Sequence, residues 1–79
     1  MKLRSADLFR RNVRAILDAR GMTITALADA ANSARPNISD ILSGKEGVTL
    51  ARGDRIARAL GFGLAELISP DFRITQNVG

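Results

Sequence analysis

Cysteine and histidine are both absent from this chain of 79 residues. The lack of cysteine excludes disulfides and thiolate metal sites. The lack of histidine removes the commonest general base and the commonest metal ligand of proteins. We therefore expect neither a metal ion nor a cofactor.

Without these residues, catalysis depends on paired carboxylates or on an activated serine or lysine. The acidic residues are instead dispersed along the sequence, and several have arginines beside them. Among them are Asp7, Asp18, Asp29, Asp40, Asp54 and Glu66. This distribution is typical of charged helix surfaces, so we do not expect an enzyme and predict no catalytic residue.

Long apolar runs are also missing, and none approaches the ~18 residues that a bilayer-spanning helix requires. Residues 1–5 lack the apolar segment of a secretory signal. We expect a cytoplasmic protein with no membrane partner.

Positive charge is what the chain has in excess. It carries 12 lysine and arginine residues against 8 acidic ones, for a net charge of +4. Ten of these twelve are arginine, the side chain best suited to bidentate contact with phosphate or guanine. This balance favours a polyanionic partner such as nucleic acid. The length permits one small domain, and the apolar share of 46% is enough for a modest helical core.

The first helix is predicted over residues 6–19, with Ser5 as its cap. Its inward face is formed by apolar residues at helical spacing, namely Phe9, Val13, Ile16 and Leu17. Gly21 then ends the helix, because glycine tolerates the left-handed conformation that is common just past a helix end.

Residues 23–44 are predicted to form two short helices joined by a tight turn. The first starts at Thr23 or Thr25, and Asn32 lies at the turn, where a positive φ is needed and asparagine is the best substitute for glycine. Pro36 suits the first turn of the second helix. The inward positions follow helical periodicity and are Leu27, Ala28, Ala31, Ile38, Ile41 and Leu42. Such a pair on a small basic domain is typical of a helix-turn-helix that enters the major groove of DNA.

Thr49 is predicted to cap a fourth helix, and a short fifth helix follows. Their inward residues are predicted to be Leu50, Ile56, Ala57, Leu60, Leu64, Leu67 and Ile68. Gly53 inside the fourth helix reflects either close helix packing or simple tolerance. Together these elements predict an all-α domain over residues 6–69, between an arm over residues 1–5 and a tail over residues 70–79.

Four short motifs of this chain have spacings that are typical of one protein family. They are Leu27-Ala28, the turn at Asn32, Ile38-Ser39-x-x-Leu42-Ser43-Gly44, and Ile56-Ala57-x-Ala59-Leu60-Gly61 followed by Leu64 and Leu67. On these motifs the chain resembles the lambda-repressor/Cro-like, or Xre, helix-turn-helix family. The resemblance implies a compact five-helix DNA-binding domain whose helix-turn-helix is formed by helices two and three.

Three features depart from the family's pattern. Its turn glycine is Asn32 here, and its glutamine at the start of the second helix is Ile24, so a phosphate contact often made there is expected to be missing. Its arginine–glutamate pair between the first and third helices corresponds to Leu17 and Leu42. We expect an apolar contact there, and this exchange is neutral or stabilising because two charges need not be desolvated.

The outward face of the third helix is predicted to read bases through Arg35, Pro36, Asn37, Ser39 and Asp40. Arg35 either bonds bidentately to guanine or contacts phosphate or solvent. Pro36 either meets a thymine methyl or only starts the helix. Asn37 reaches a phosphate or an adenine edge, or makes a local hydrogen bond. Asp40 accepts from cytosine, repels other sequences or pairs with an arginine.

Further residues match positions where the family contacts phosphates on either side of the groove. They are Thr23, Thr25, Ser43 and Lys45. Arg52 is the arginine of the fourth helix that we expect to approach the backbone, and Lys2 and Arg4 either wrap the duplex or belong to a disordered terminus. Phosphate contacts fix the register on DNA without reading its sequence.

The expected partner is double-stranded DNA, bound at a palindromic site by a homodimer, because one recognition helix reads only a few base pairs. The predicted dimer residues are Phe62, Leu64, Ile68 and Phe72. A phage-type or bacterial repressor, a restriction-modification controller and an antitoxin remain alternatives. A module that mainly binds a toxin or another protein is a further alternative, and it predicts weak DNA binding without sequence preference.

Overall fold

The computed structural model describes residues 5–72 of the chain. All regular structure in this part is helical: α1 Ser5–Arg20, α2 Ile24–Ala30, α3 Arg35–Ser43, α4 Leu50–Leu60 and α5 Leu64–Leu67. The all-α class and the five helices are thereby confirmed. The predicted arm residues Lys2 and Arg4 lie outside the described residues. None of the helices within residues 5–72 has both the length and the apolar character that crossing a bilayer requires.

Threonine side chains begin two of the helices. Thr23 Oγ1 accepts a hydrogen bond from the Ala26 amide at 3.0 Å, so α2 starts after Thr23 and not at Thr25. Thr49 Oγ1 accepts from the Arg52 amide at 3.2 Å and begins α4. Each bond satisfies one of the amides that the first turn of a helix leaves without an intrahelical partner. The first helix differs from its prediction, because Ser5 lies inside α1 and the helix continues to Arg20.

Positive φ angles end three helices and form the turn between α2 and α3. Gly21, as predicted, ends α1 with a φ of 63°, and Gly44 and Gly61 close α3 and α4 with φ angles of 92° and 86°. Asn32 has a φ of 53° and is the non-glycine residue in this region of φ space within residues 5–72. The predicted left-handed turn at Asn32 is therefore confirmed.

A single apolar core lies between the helices. α1 packs on α3 and α5, α2 packs on α3 and α4, and α4 packs on α5. The largest fully buried side chains are Phe9, Val13, Ile16, Leu27, Ile38, Ile41, Ile56 and Leu67. Burial of side chains of this size contributes ~1.5–3 kcal/mol each, which makes the core the main source of stability in so small a domain.

Leu50 was predicted to face the core, and this prediction is wrong: the residue is 79% exposed. It is the first residue of α4, and helical side chains tilt towards the helix N-terminus, so Leu50 extends beyond the last layer of the core. One turn later, Gly53 is buried. A Cβ atom at Gly53 would lie 3.0 Å from Leu64 Cδ1 and 3.2 Å from Val48 Cγ1. Gly53 therefore reflects close packing.

Asn12 is a buried polar residue in α1, at 2% exposure. Its Nδ2 donates hydrogen bonds to Leu67 O at 2.9 Å and to Ser69 O at 3.2 Å. The amide thus satisfies carbonyls at the end of α5 and ties that short helix to α1. The inward face of α1 was predicted from its apolar residues alone, and this contact was missed.

Candidate nucleic-acid interface

Helix α3 is amphipathic, and its burial separates a core face from a free face. Ile38, Ile41 and Leu42 are at most 3% exposed. The five predicted base-reading residues lie on the other side, where Arg35, Pro36 and Asn37 are exposed and Ser39 and Asp40 are half-buried. All five predicted residues therefore lie outside the buried face of α3.

The N-terminal end of α3 has few intramolecular partners. Ala34 caps the helix without a side-chain hydrogen bond, and Pro36 in the first turn needs no amide partner. No carboxylate within residues 5–72 forms an ion pair with Arg35. This end presents an unpaired guanidinium next to the positive pole of the helix dipole.

Within residues 5–72, Asn37 and Asp40 lack the intramolecular bonds that were alternatives to DNA contact. In the described part of the chain, the Asn37 side chain makes no hydrogen bond, and Asp40 pairs with no arginine. The Asp40 carbonyl, by contrast, accepts from Ser43 Oγ at 3.2 Å. Both side chains are thus free to meet a ligand at the face of α3.

The predicted phosphate-binding residues lie at the start of α2 and around the end of α3. Thr23, Thr25, Ser43 and Lys45 are all exposed. A surface groove of about 460 Å³ separates the two places, and Ser43 lies on its rim. No carboxylate within residues 5–72 forms an ion pair with Lys45. Arg52 differs, because its Nη1 lies 3.0 Å from Glu46 Oε1.

Leu17 and Leu42, which were predicted to form an apolar contact between α1 and α3, are both buried, at 7% and 3% exposure. They belong to the same apolar cluster and line the same groove between α1, α2 and α3. Positions 17 and 42 are therefore part of the apolar core in this chain. Their direct contact remains a prediction.

Two arginines of α1 contact the end of α3, and the sequence reasoning missed both. Arg10 Nε donates to Ile41 O at 2.7 Å, and Arg14 Nη2 donates to Leu42 O at 2.5 Å. Their spacing of four residues places them on one side of α1. This spacing, together with the lack of a basic residue in the last turn of α3, was the available signal.

Arg55 of α4 was also not assigned a role. It lines a polar cleft of about 270 Å³ with Arg52, next to Asn32 and Asn37. The cleft lies between α4 and the start of α3. It adds positive charge beside the end of α3 that was predicted to enter the groove.

The four predicted dimer residues fall into two pairs. Phe62 and Phe72 pack edge to face, with ring centroids 5.3 Å apart, and the Arg20 guanidinium lies 5.7 Å from the Phe62 ring centroid. Phe72, predicted as part of the tail, thus packs on the domain. Leu64 and Ile68 instead line an apolar groove of about 130 Å³.

That apolar groove lies between the start of α1, the start of α4 and α5. It is lined by Ser5, Ala6, Phe9, Val48, Thr49, Leu50, Leu64 and Ile68. The 79% exposed Leu50 projects at its edge. An exposed leucine beside an apolar groove is a surface typical of protein contacts.

Comparison with protein-family models identifies a match to the Cro/C1-type HTH DNA-binding domain over residues 12–72. This span contains the turn at Asn32, the whole of α3 and the arginines of α4. Searches of curated proteins and of solved structures gave no match.

Proposed function

The chain belongs to the Cro/C1-type helix-turn-helix DNA-binding domain family, and we propose that it is a sequence-specific transcriptional regulator of the repressor type. The proposal rests on the free face of α3, where Arg35 and Asn37 have no side-chain partner within residues 5–72. Unpaired donors on one accessible helix are suited to base edges in the major groove. The proposal places the protein in the cytoplasm, where it acts on DNA without catalysis.

Each residue of this face has a chemically matched partner on DNA. Arg35 donates two hydrogen bonds to guanine O6 and N7, and Asn37 pairs with an adenine edge or a phosphate. Asp40 accepts from cytosine N4 and repels phosphates that come too close. Pro36 meets a thymine methyl, and Ser39 bonds to whichever base edge is opposite it.

Phosphate contacts flank the reading face on both sides. Thr23 and Thr25 contact phosphates from the start of α2, and Ser43 and Lys45 contact phosphates from the end of α3. Arg52 adds charge from α4, and Lys2 and Arg4 of the arm add further contacts. These contacts raise the affinity for any duplex and fix the register in which α3 reads bases.

A second copy of the chain is the proposed occupant of the apolar groove. Leu64 and Ile68 line the groove, and Leu50 projects beside it. Two-fold pairing through this face doubles the number of base pairs read and requires a palindromic operator. Phe62 and Phe72 border the interface as an already packed pair.

Replacing Leu50 tests the proposed dimer. Leu50→Glu places a charge in the interface, so we expect the monomer in sedimentation and operator affinity reduced at least tenfold, because one half-site is then bound alone. Ala51→Glu, which adds the same charge to the next exposed residue, is the control and leaves the dimer intact. A wild-type protein that binds a palindrome as a monomer contradicts the proposed dimer.

Selection of bound sites from random duplex DNA tests the function itself. We expect an enriched sequence with two-fold symmetry and half-sites about 10 base pairs apart. Affinity for it falls steeply with salt as counterions are released from phosphates. Equal affinity for every duplex at moderate salt contradicts a regulator and favours a module that mainly binds a toxin or another protein.

A further inference from the structure

The C-terminal end of α3 is satisfied by side chains from α1. The last four carbonyls of an α-helix have no intrahelical donor, and α3 has no basic residue in its last turn. Arg10 Nε reaches Ile41 O at 2.7 Å, and Arg14 Nη2 reaches Leu42 O at 2.5 Å. Arg14 therefore supplies a side-chain donor to Leu42 O, and Arg10 adds a second donor to Ile41 O, which also accepts from the Gly44 amide at 3.3 Å. Both guanidinium groups bring the positive charge that the helix dipole favours at this end.

Arg10 also extends into the loop after α3. Its Nη2 donates to Glu46 O at 3.1 Å, while the Glu46 amide donates to Asp40 O at 3.1 Å. The Arg10 side chain is 18% exposed, and Asp7 Oδ1 lies 3.3 Å from its Nη1. One guanidinium thus joins the last turn of α3 to Glu46, the residue that follows Lys45 in the loop.

We propose that Arg10 is a positioning residue for DNA binding, which holds the loop after α3 so that Lys45 meets a phosphate. This inference rests on the proposed function, because it takes Lys45 as a phosphate contact. The Arg10 guanidinium is already bonded to two carbonyls and a carboxylate, so it acts through the loop. Holding the loop in advance removes an ordering cost that binding otherwise has to overcome.

A double-mutant cycle on DNA affinity tests the proposal. The probe is one fixed duplex of about 20 base pairs, long enough for two half-sites, titrated at several salt concentrations with wild type, Arg10→Met, Lys45→Ala and the double variant. Each single variant is expected to lower affinity about tenfold and to reduce the salt slope by about one. The double variant is expected to bind no more weakly than Lys45→Ala, since Arg10 acts through Lys45.

Arg58→Met is the matched control for charge. Arg58 lies on α4 with its side chain 79% exposed and paired to Asp54, so its removal subtracts the same charge without touching the loop. Losses that add in the double variant, or an Arg10→Met effect no larger than that of Arg58→Met, overturn the proposal. If the wild type binds no duplex, the proposed function itself fails, which is a different result.

Hydrogen exchange supplies a readout that does not depend on DNA. The Glu46 amide is expected to lose protection in Arg10→Met and to keep it in Lys45→Ala, because Arg10 donates to the Glu46 carbonyl. Should Arg10→Met fail to fold, Arg10→Lys keeps the charge but lacks the fork that reaches both carbonyls, and it is expected to show the same loss of protection. Unchanged protection at Glu46 in either folded variant overturns the proposal.

Discussion

The two ends of α3 are satisfied in opposite ways. At its N-terminal end, Ala34 provides no side-chain cap, and Arg35 has no acidic partner within residues 5–72. At its C-terminal end, Gly44 closes the helix, and Arg10 and Arg14 donate to its last carbonyls across 31 and 28 residues of sequence. One end has free hydrogen-bonding groups, and the other is bound to the domain.

This difference suits a helix that must present side chains accurately to another molecule. Hydrogen bonds from charged donors contribute ~1.5–3 kcal/mol each, so the bonds from Arg10 and Arg14 fix the direction of α3 relative to α1. The donors of Arg35 and Asn37 at the opposite end remain available, because no group within residues 5–72 forms a competing bond with them. Accurate placement of a few polar groups by a rigid scaffold is what specific recognition requires.

The largest expected effect is on the free energy of unfolding and comes from placing a charge in the core beside the C-terminal end of α3. Leu17 and Leu42 are buried, at 7% and 3% exposure. Leu17→Arg or Leu42→Glu alone buries an unpaired charge and is expected to cost ~3–5 kcal/mol of unfolding free energy. Urea denaturation of the two variants measures this loss.

Combining the two substitutions sharpens the comparison, because it restores the ion pair of the family at this slot. The double variant is expected to recover part of the loss, with a coupling energy of ~1–3 kcal/mol. Strict additivity of the two losses shows that the side chains do not meet and contradicts the predicted contact between α1 and α3.

The next effect concerns the free end and appears in DNA binding, with folding unchanged. Arg35→Ala is expected to cost ~1–3 kcal/mol on the preferred site and to relax preference at one base pair per half-site. Its unfolding free energy is expected to match wild type, because Arg35 is exposed and has no ion-pair partner within residues 5–72.

Lys45→Ala is the comparison for Arg35→Ala. It removes one positive charge at the other end of α3 and is expected to weaken binding to all sequences about equally, with a flatter salt dependence. If the two variants change sequence preference in the same way, the division between a base-reading end and a phosphate-binding end is wrong.

Features set by neighbouring residues were predictable from the sequence. The caps Thr23 and Thr49, the end of α3 at Gly44 and the positive φ of Asn32 depend on a few adjacent residues, and all appear in the structure. The exposed face of α3, which is proposed to read bases, also followed from local periodicity, because burial of Ile38 fixes which side of α3 faces solvent.

Features that depend on distant residues were not predictable in this way. Arg10 and Asn12 donate to carbonyls 31 and 55 residues away. Every residue has a backbone carbonyl, so the sequence does not indicate which one will accept the hydrogen bond. Leu50 has the spacing of the inward residues of α4. Whether the first residue of α4 is covered, however, depends on how α5 packs against α4, and the spacing alone does not show this. The sequence therefore predicted the amphipathic helix α3 and its exposed face but missed how the C-terminal end of α3 is held.

The smallest expected effect tests the turn that leads into the free end. Asn32 has a φ of 53°, and its exposed side chain makes no hydrogen bond within the described residues. Asn32→Gly is therefore expected to change the unfolding free energy by less than about 0.5 kcal/mol, because glycine adopts this conformation freely but loses more entropy on folding.

Asn32→Ala, the control, is expected to cost about 1 kcal/mol in the left-handed region. A loss above ~1 kcal/mol for the glycine variant means that the side chain makes a stabilising bond. If Asn32→Gly leaves the stability unchanged but weakens DNA binding, the Asn32 side chain contributes to DNA binding together with the N-terminal end of α3.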